Sequence, residues 1–236
     1  MNNLKNKIIE INEKIETSLI SIKFEQKEKN TFLKTISNYL DIILIIEITD
    51  RKTRNTLFIN PLVGIIDYDV EKIYENLIPK IRTSNEIVTT ATTSLGYLMP
   101  ENTYQTWEIP LDFNNHRTQK VIDDIIKSIQ KYALPFLESL VDRLELIDAL
   151  QNNRIGFQKM NYLKIPILYY LIGLKDKGLE YSKNILLNEK PTPKILMAIE
   201  PEFSIYKEAL DFFKQDKDVL YYWTYKEFLN RYVKYD

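Results

Sequence analysis

Three carboxylates lie close together in the chain, at Asp67, Asp69 and Glu71. Carboxylate oxygens bind Mg²⁺ in hydrolases and nucleases, and they also serve as general acids and bases. If a strand ends at this point, the three side chains would converge and could hold a metal. An acidic first turn of a helix has the same pattern, because negative charge is favourable at a helix N-terminus. We take the helix start as the leading interpretation and a metal-dependent hydrolase or nuclease as the alternative.

Side chains for other kinds of catalysis are scarce. His116 is the single histidine and the chain has no cysteine, so Ser/His/Asp and Cys/His arrangements and zinc sites with His or Cys ligands are not expected. We predict a capping or surface role for His116 at a helix start. The five glycines are scattered, whereas nucleotide-binding loops need clustered ones. The leading interpretation therefore has no catalytic residue, no metal and no cofactor.

The composition is that of an ordinary globular protein. The chain has 236 residues, 44% of them hydrophobic and 28% charged, enough for one large domain or two small ones. Its formal net charge of −1 favours neither nucleic acid nor an anionic membrane as a partner. The longest apolar run, 42–46, is far too short to span a bilayer. Because there is no cysteine, we expect a cytoplasmic protein.

Helices and strands predicted in the first half would position these residues. Apolar residues at three- and four-residue spacing predict an amphipathic helix over 4–22. A β-branched run predicts a buried strand over 39–49, and a second strand over 56–66 would pair with it as an antiparallel hairpin. Pro61 and Gly64 favour an edge or bulged position for this second strand, because proline cannot donate to the ladder.

The following elements complete an α+β pattern. They are a helix over 70–78, strands over 87–99 and 103–111, a helix that Asn114 and Asn115 cap and that runs to Pro135, and a helix over 136–150. The segment 25–30 is predicted as a loop or strand entry. We therefore predict an α+β fold with an antiparallel sheet of about four strands covered by helices, followed by an all-helical C-terminal part.

The character of the chain changes to helices only after the Asn-Asn pair at 152–153. We therefore predict an α+β domain over 1–152 and a helical region over 153–236. Helices over 165–174 and 179–188 would form a hairpin that looks like a single tetratricopeptide-type unit, without the second copy that an array requires. A scaffold or regulator that binds a peptide through this helical region is the third interpretation.

Aromatic residues are concentrated at the end of the chain, where helices are predicted over 203–214 and 219–234. The last of these helices carries a stripe at helical spacing, formed by Tyr221, Tyr225, Phe228, Tyr232 and Tyr235. We predict that this stripe packs in the core. Tyr222 and Trp223 point away from it, and such residues are frequent anchors of protein interfaces. We therefore predict that Tyr222 and Trp223 contact a partner.

Several short motifs lie in order along the first 150 residues. They are Ile22-Lys23-Phe24, Phe32-Leu33-Lys34, Phe58-Ile59-Asn60-Pro61-Leu62-Val63-Gly64, Trp107-Glu108-Ile109 and Ala133-Leu134-Pro135-Phe136. In this order they resemble a family of small bacterial domains of unknown function that recur in toxin and immunity gene neighbourhoods. The resemblance implies helices on an antiparallel sheet and no defined activity, and it does not extend to the C-terminal helices.

These observations together favour a non-enzymatic bacterial protein that binds another protein. We expect an immunity protein that neutralises a cognate toxin by covering its active site. Neither nucleic acid nor a membrane is expected as a partner. If the toxin is a nuclease, its basic cleft would require acidic residues on this chain. The candidates are Asp67, Asp69, Glu71, Asp123 and Asp124.

Overall fold

The computed structural model describes residues 2–51, 55–77, 88–156, 158–178 and 180–181. The chain divides into two compact units, the first formed by Met1–Asp67 and Val88–Phe157 and the second by Tyr68–Ile87 and Gln158–Asp236. The first unit ends near the boundary that we predicted after residue 152. The second unit also includes residues 68–87, which the predicted boundary placed in the first domain.

The elements confirm the predicted α+β class. In chain order they are α1 (Asn2–Ser21), β1 (Glu25–Glu28), β2 (Thr31–Thr35), β3 (Leu40–Arg51), β4 (Thr56–Asp67), α2 (Tyr68–Leu77), β5 (Ala91–Ser94), β6 (Trp107–Pro110), α3 (Asn115–Ser128), α4 (Leu134–Ser139), α5 (Arg143–Gln151) and α6 (Gln158–Leu171). Helices α2 and α6 belong to the second unit and all the other elements to the first. None of these described helices is long and apolar enough to cross a membrane.

In the described part of the chain the sheet is antiparallel and has six strands rather than about four. Its order is β1-β2-β3-β4-β5, and β6 also pairs with β4. One additional strand, β1, lies in the segment 25–30 that we predicted as a loop or strand entry, and the other, β2, follows that segment and pairs with β1 as a hairpin. Asn30 sits in the turn with a φ of 64°, a conformation that asparagine tolerates better than most residues.

Strands β3 and β4 form the predicted hairpin, in register from Leu40 opposite Asp67 to Arg51 opposite Thr56. The predicted edge position of β4 is wrong. This strand pairs with β3 along one side and with both β5 and β6 along the other, so it lies inside the sheet.

Pro61 is accommodated because the second side of β4 is interrupted. Residues 62–65 pair with β5 and residues 56–59 pair with β6, which leaves Pro61 at the gap. Ile46, opposite Pro61, donates its backbone N–H to the Asn30 carbonyl at 2.8 Å, away from β4. In an antiparallel pair the backbone nitrogen of Pro61 therefore also points away from β3, towards the gap, where the missing donor weakens the ladder least.

The core of the first unit combines one face of the sheet with the apolar stripes of α1 and α3. On this face, alternate residues of β3 and β4 are fully buried, among them Ile42, Leu44, Ile59 and Ile65. Helix α1 contributes Ile11, Ile15 and Leu19, and α3 contributes Ile122 and Ile125, also buried. The helical spacing that predicted these two helices therefore also identified the apolar residues that they bury.

The cap predicted for α3 is confirmed at Asn114. Its side-chain Oδ1 accepts a hydrogen bond from the Arg117 N–H at 2.9 Å. Pro135 does not end the helical path that follows, because a π-helical segment, Ile129–Ala133, leads into α4 and places the proline in its first turn.

Two predicted strands are shorter than expected. Only Ala91–Ser94 and Trp107–Pro110 pair in the sheet, and a 3-10 turn, Leu95–Leu98, follows the first of them. The helix predicted over 165–174 corresponds to the second half of α6.

The remaining C-terminal predictions fall outside the described part of the chain. This holds for the helices over 203–214 and 219–234 and for nearly all of 179–188. Residues 175–178 are helical and follow a turn at Gly173, whose φ is 76°. The predicted helical hairpin therefore stays a prediction.

Candidate functional site

Asp67, the first of the predicted carboxylates, is an internal anchor. It ends β4, is 0% exposed and accepts two hydrogen bonds from Arg143 of α5, from Nε at 2.8 Å and from Nη2 at 3.0 Å. The Asp67 backbone N–H donates to Thr90 Oγ1 at 2.8 Å. The Arg143 guanidinium also lies 4.3 Å from the ring centre of Tyr39. This bidentate pair fixes the start of α5 to the end of β4.

The other two carboxylates of the cluster belong to α2. Asp69 is exposed, in the acidic first turn that the sequence predicted. Glu71 is buried, and its Oε1 accepts a hydrogen bond from Lys164 Nζ of α6 at 2.9 Å. Lys164 is itself 0% exposed and lies 5.2 Å from the ring centre of Tyr74. This ion pair holds α2 and α6 together inside the second unit.

A divalent cation would have to compete with these ion pairs. Arg143 and Lys164 already balance the charges of Asp67 and Glu71. Among the described residues, no three His, Asp or Glu side chains are grouped closely enough to hold a metal ion. The metal-dependent alternative therefore gains no geometric support from these carboxylates.

Asp123 and Asp124 are exposed on α3. Gln119 Nε2 donates to Asp123 Oδ1 at 2.9 Å, and Trp107 Nε1 donates to Asp124 Oδ2 at 2.7 Å. The second bond connects β6 to α3, so Asp124 helps to hold the fold as well as carrying surface charge. His116, near the start of α3, is exposed. The predicted contact residues Tyr222 and Trp223 lie outside the described residues.

The first unit contains a groove of about 910 Å³ at the interrupted side of the sheet. Its floor is formed by strand residues, namely Glu47, Asn60, Leu62, Thr92 and Ser94. One wall is the connection between β5 and β6, with Tyr97, Met99, Asn102 and Tyr104. The other wall is formed by Phe136 of α4 and by the residues after α5, with Asn152, Asn153 and Arg154.

A row of hydrogen bonds crosses the floor of this groove. Ser94 Oγ donates to Asn60 Oδ1 at 2.8 Å, and Asn60 Nδ2 donates to Glu47 Oε2 at 2.9 Å. The sheet register places these side chains together, because Asn60 is opposite Glu47 and the next residue on the same face, Leu62, is opposite Ser94. Asn60 and Ser94 are 8% and 6% exposed. Buried amides and hydroxyls require such partners, so the row has one fixed arrangement.

In the wall between β5 and β6, the backbone at Gly96 packs closely against the backbone at Thr103. A Cβ atom added to Gly96 would lie 2.3 Å from the Thr103 carbonyl oxygen, so only glycine permits this approach. Asn102 adopts a positive φ of 47° at the end of the turn. The wall presents two aromatic rings to solvent, with Tyr97 46% and Tyr104 60% exposed.

The opposite wall is tied to the sheet by its backbone. The Gly156 N–H donates to the Thr92 carbonyl at 3.2 Å. Arg154 forms an ion pair with Asp148, and its guanidinium lies 5.8 Å from the ring centre of Phe136. Asn152 Nδ2 donates to Asp148 Oδ1 at 2.8 Å. Both walls therefore present amides and rings from positions that backbone contacts fix.

This groove was not predicted from the sequence. Its residues come from β3, β4, β5, the turn after β5, α4 and the end of α5, so no local spacing connects them. Two local signals in the sequence are related to it. Pro61 marks the interruption in the strand pairing, and the Asn-Asn pair at 152–153, where we predict a domain boundary, lies in one wall.

No family model, curated protein or solved structure matches this chain. The resemblance to the bacterial toxin and immunity family therefore stays a prediction.

Proposed function

We propose that this chain is a non-enzymatic protein-binding protein and that the groove of the first unit receives a segment of its partner. The observation that carries this proposal is the set of groove side chains. Exposed tyrosines, asparagines and an arginine line the groove, and these residue types are enriched in protein-recognition surfaces. Tyrosine offers a large rigid contact area with a polar end, and asparagine offers both a donor and an acceptor.

The rigidity of the groove supports the same function. Binding costs less entropy when the recognising groups already have their bound orientation. The row from Ser94 through Asn60 to Glu47 fixes an amide and a carboxylate on the floor. The close approach at Gly96 and the Gly156–Thr92 hydrogen bond fix the two walls. The groove therefore requires little ordering when a partner enters.

The partner that we propose is a cognate bacterial toxin, and the location is the cytoplasm. The short motifs of the first 150 residues support this choice, as does the exposed acidic charge at Asp69, Asp123 and Asp124. Acidic side chains complement the basic cleft of a nuclease and increase the rate of association. In this proposal Asp67 and Glu71 stabilise the fold and do not contact the partner, because both are buried in ion pairs. Tyr222 and Trp223 remain proposed contacts.

Co-expression with a toxin encoded beside this gene tests the proposal. We expect the wild-type chain to restore growth and to bind the purified toxin. Tyr104→Ala should weaken that binding by about 2 kcal/mol, as the loss of a central aromatic anchor does. Tyr68→Ala is the control, because Tyr68 is also an exposed tyrosine, at 46% against 60% for Tyr104, and does not line the groove. If Tyr104→Ala and the wild type bind the toxin equally well, the groove is not part of the interface.

A further inference from the structure

The floor of the groove carries a single carboxylate, that of Glu47. Among the residues that line it, Glu47 and Arg154 are the charged ones. Arg154 is paired with Asp148 and lies over the ring of Phe136, so its charge is compensated within the wall. Glu47 is exposed, and among the described residues its hydrogen-bond partner is the neutral amide of Asn60. The floor of the groove therefore attracts a cation.

The hydrogen-bond row orients the Glu47 carboxylate. An ionised carboxylate accepts hydrogen bonds and donates none, so the Asn60 amide must face it with its NH₂ group. The Asn60 carbonyl then faces Ser94, whose hydroxyl donates to it. This arrangement employs Glu47 Oε2 and leaves Oε1 as an acceptor for a ligand. A ligand with a positively charged donor meets a carboxylate that is already fixed in place.

The walls of the groove can contact the apolar stem and the peptide groups of such a ligand. Tyr97 and Tyr104 are about half exposed along one side of the same groove. Lysine and arginine have long apolar stems that pack on rings, and their charged heads are attracted to ring faces. The amides of Asn102 and Asn153 can pair with the peptide groups on either side of such a residue.

We propose that Glu47 selects a lysine or arginine side chain on the partner segment that enters the groove. This inference rests on the proposed function and adds the chemistry of the partner residue. Glu47 is then the residue that determines specificity, while the tyrosines supply contact area. Hydrogen-bonded charge pairs at an interface contribute strongly to affinity, so removal of the Glu47 charge should weaken binding by at least about tenfold.

A titration followed by ¹⁵N NMR tests this selection with defined probes. The first probe is N-acetyl-lysine N-methylamide, and the second is its norleucine analogue, which has the same length of stem without the charge. We expect the lysine probe to shift the Asn60 side-chain NH₂ and the Ser94 amide resonances in a saturable manner. The norleucine probe should bind about tenfold more weakly. Equal binding of the two probes, or shifts confined to other regions, would overturn the inference.

Two variants assign the effect to Glu47. Glu47→Gln should remove the preference for lysine, and Glu47→Lys should abolish binding of the lysine probe. Glu28→Gln is the control, because Glu28 is exposed on β1 at the opposite edge of the sheet and its loss changes the net charge equally. A preference for lysine that persists in Glu47→Gln contradicts the inference. The dispersion of the same spectra shows that each variant is folded.

Binding of the purified toxin distinguishes this inference from the proposed function. If Tyr104→Ala weakens toxin binding and Glu47→Gln does not, the groove is the interface but the selection of a basic residue is refuted. If neither variant affects toxin binding, the proposed function of the groove itself is refuted. If both weaken it, both proposals are supported.

Discussion

Arg143 donates two hydrogen bonds to Asp67, at 2.8 and 3.0 Å, and the aspartate is completely buried. The two residues are 76 positions apart in the chain. A carboxylate that appeared in the sequence as a candidate metal ligand is thus a link between β4 and α5. Its removal would take away both of these hydrogen-bond acceptors from the guanidinium.

Asp67→Ala should lower the free energy of unfolding by about 3 kcal/mol, because it leaves the Arg143 guanidinium largely buried without its carboxylate. Urea unfolding measures this loss. Asp69→Ala is the control, since Asp69 is exposed two residues later, and it should change stability by less than about 0.5 kcal/mol. Equal effects of the two substitutions would contradict a structural role for the Asp67–Arg143 pair.

We predict that Glu71 and Lys164 make strongly non-additive contributions to the stability of the second unit, because they form a buried ion pair. Lys164→Met should cost about 3 kcal/mol, because the buried Glu71 loses the ammonium group that donates a hydrogen bond to its Oε1. Adding Glu71→Leu should recover most of that loss, since an apolar pair needs no desolvation of charge. A double-mutant cycle by urea unfolding measures the coupling, with the exposed Lys72→Met as the control. Additive losses would show that the two side chains do not interact.

Gly64 is predicted to be essential for the position of β5. A Cβ atom at residue 64 would lie 2.2 Å from the Ala91 carbonyl oxygen, so Gly64→Ala must push β5 away from β4. We expect a loss of about 2 kcal/mol or more in thermal or urea unfolding, as overpacking produces. Gly173→Ala is the comparison, because its methyl group would meet none of the described atoms within 4 Å and only the positive φ is strained. A smaller loss for Gly64→Ala than for Gly173→Ala would refute the steric explanation.

Metal titration separates the binding proposal from the hydrolase alternative. We expect Mg²⁺ or Mn²⁺ at submillimolar concentration to leave the melting temperature unchanged, because Asp67 and Glu71 are already engaged by Arg143 and Lys164. A ligand that binds only the folded state raises that temperature as its concentration increases. Clear stabilisation by either metal, lost in Asp69→Asn, would instead favour a metal-dependent enzyme. Differential scanning fluorimetry is sufficient for this measurement.

Local patterns in the sequence determined most of the elements. The apolar spacing over 4–22 predicted α1, the β-branched run predicted β3, and Asn114 predicted the cap of α3. Each of these depends on residues within a few positions of one another, where helix and strand periodicity act directly. The α+β class followed from the order of those elements.

Tertiary structure alone decided the roles of the charged residues and the existence of the groove. Asp67 and Glu71 look alike in sequence to Asp69, yet their burial depends on Arg143 and Lys164, which lie 76 and 93 positions away. In the floor of the groove, Ser94 similarly donates a hydrogen bond to Asn60, from which it is 34 positions away in the chain. Strand pairing brings such residues together, and pairing depends on the register of whole strands rather than on neighbouring residues. The spacing of side chains along the chain therefore contains no direct record of these contacts.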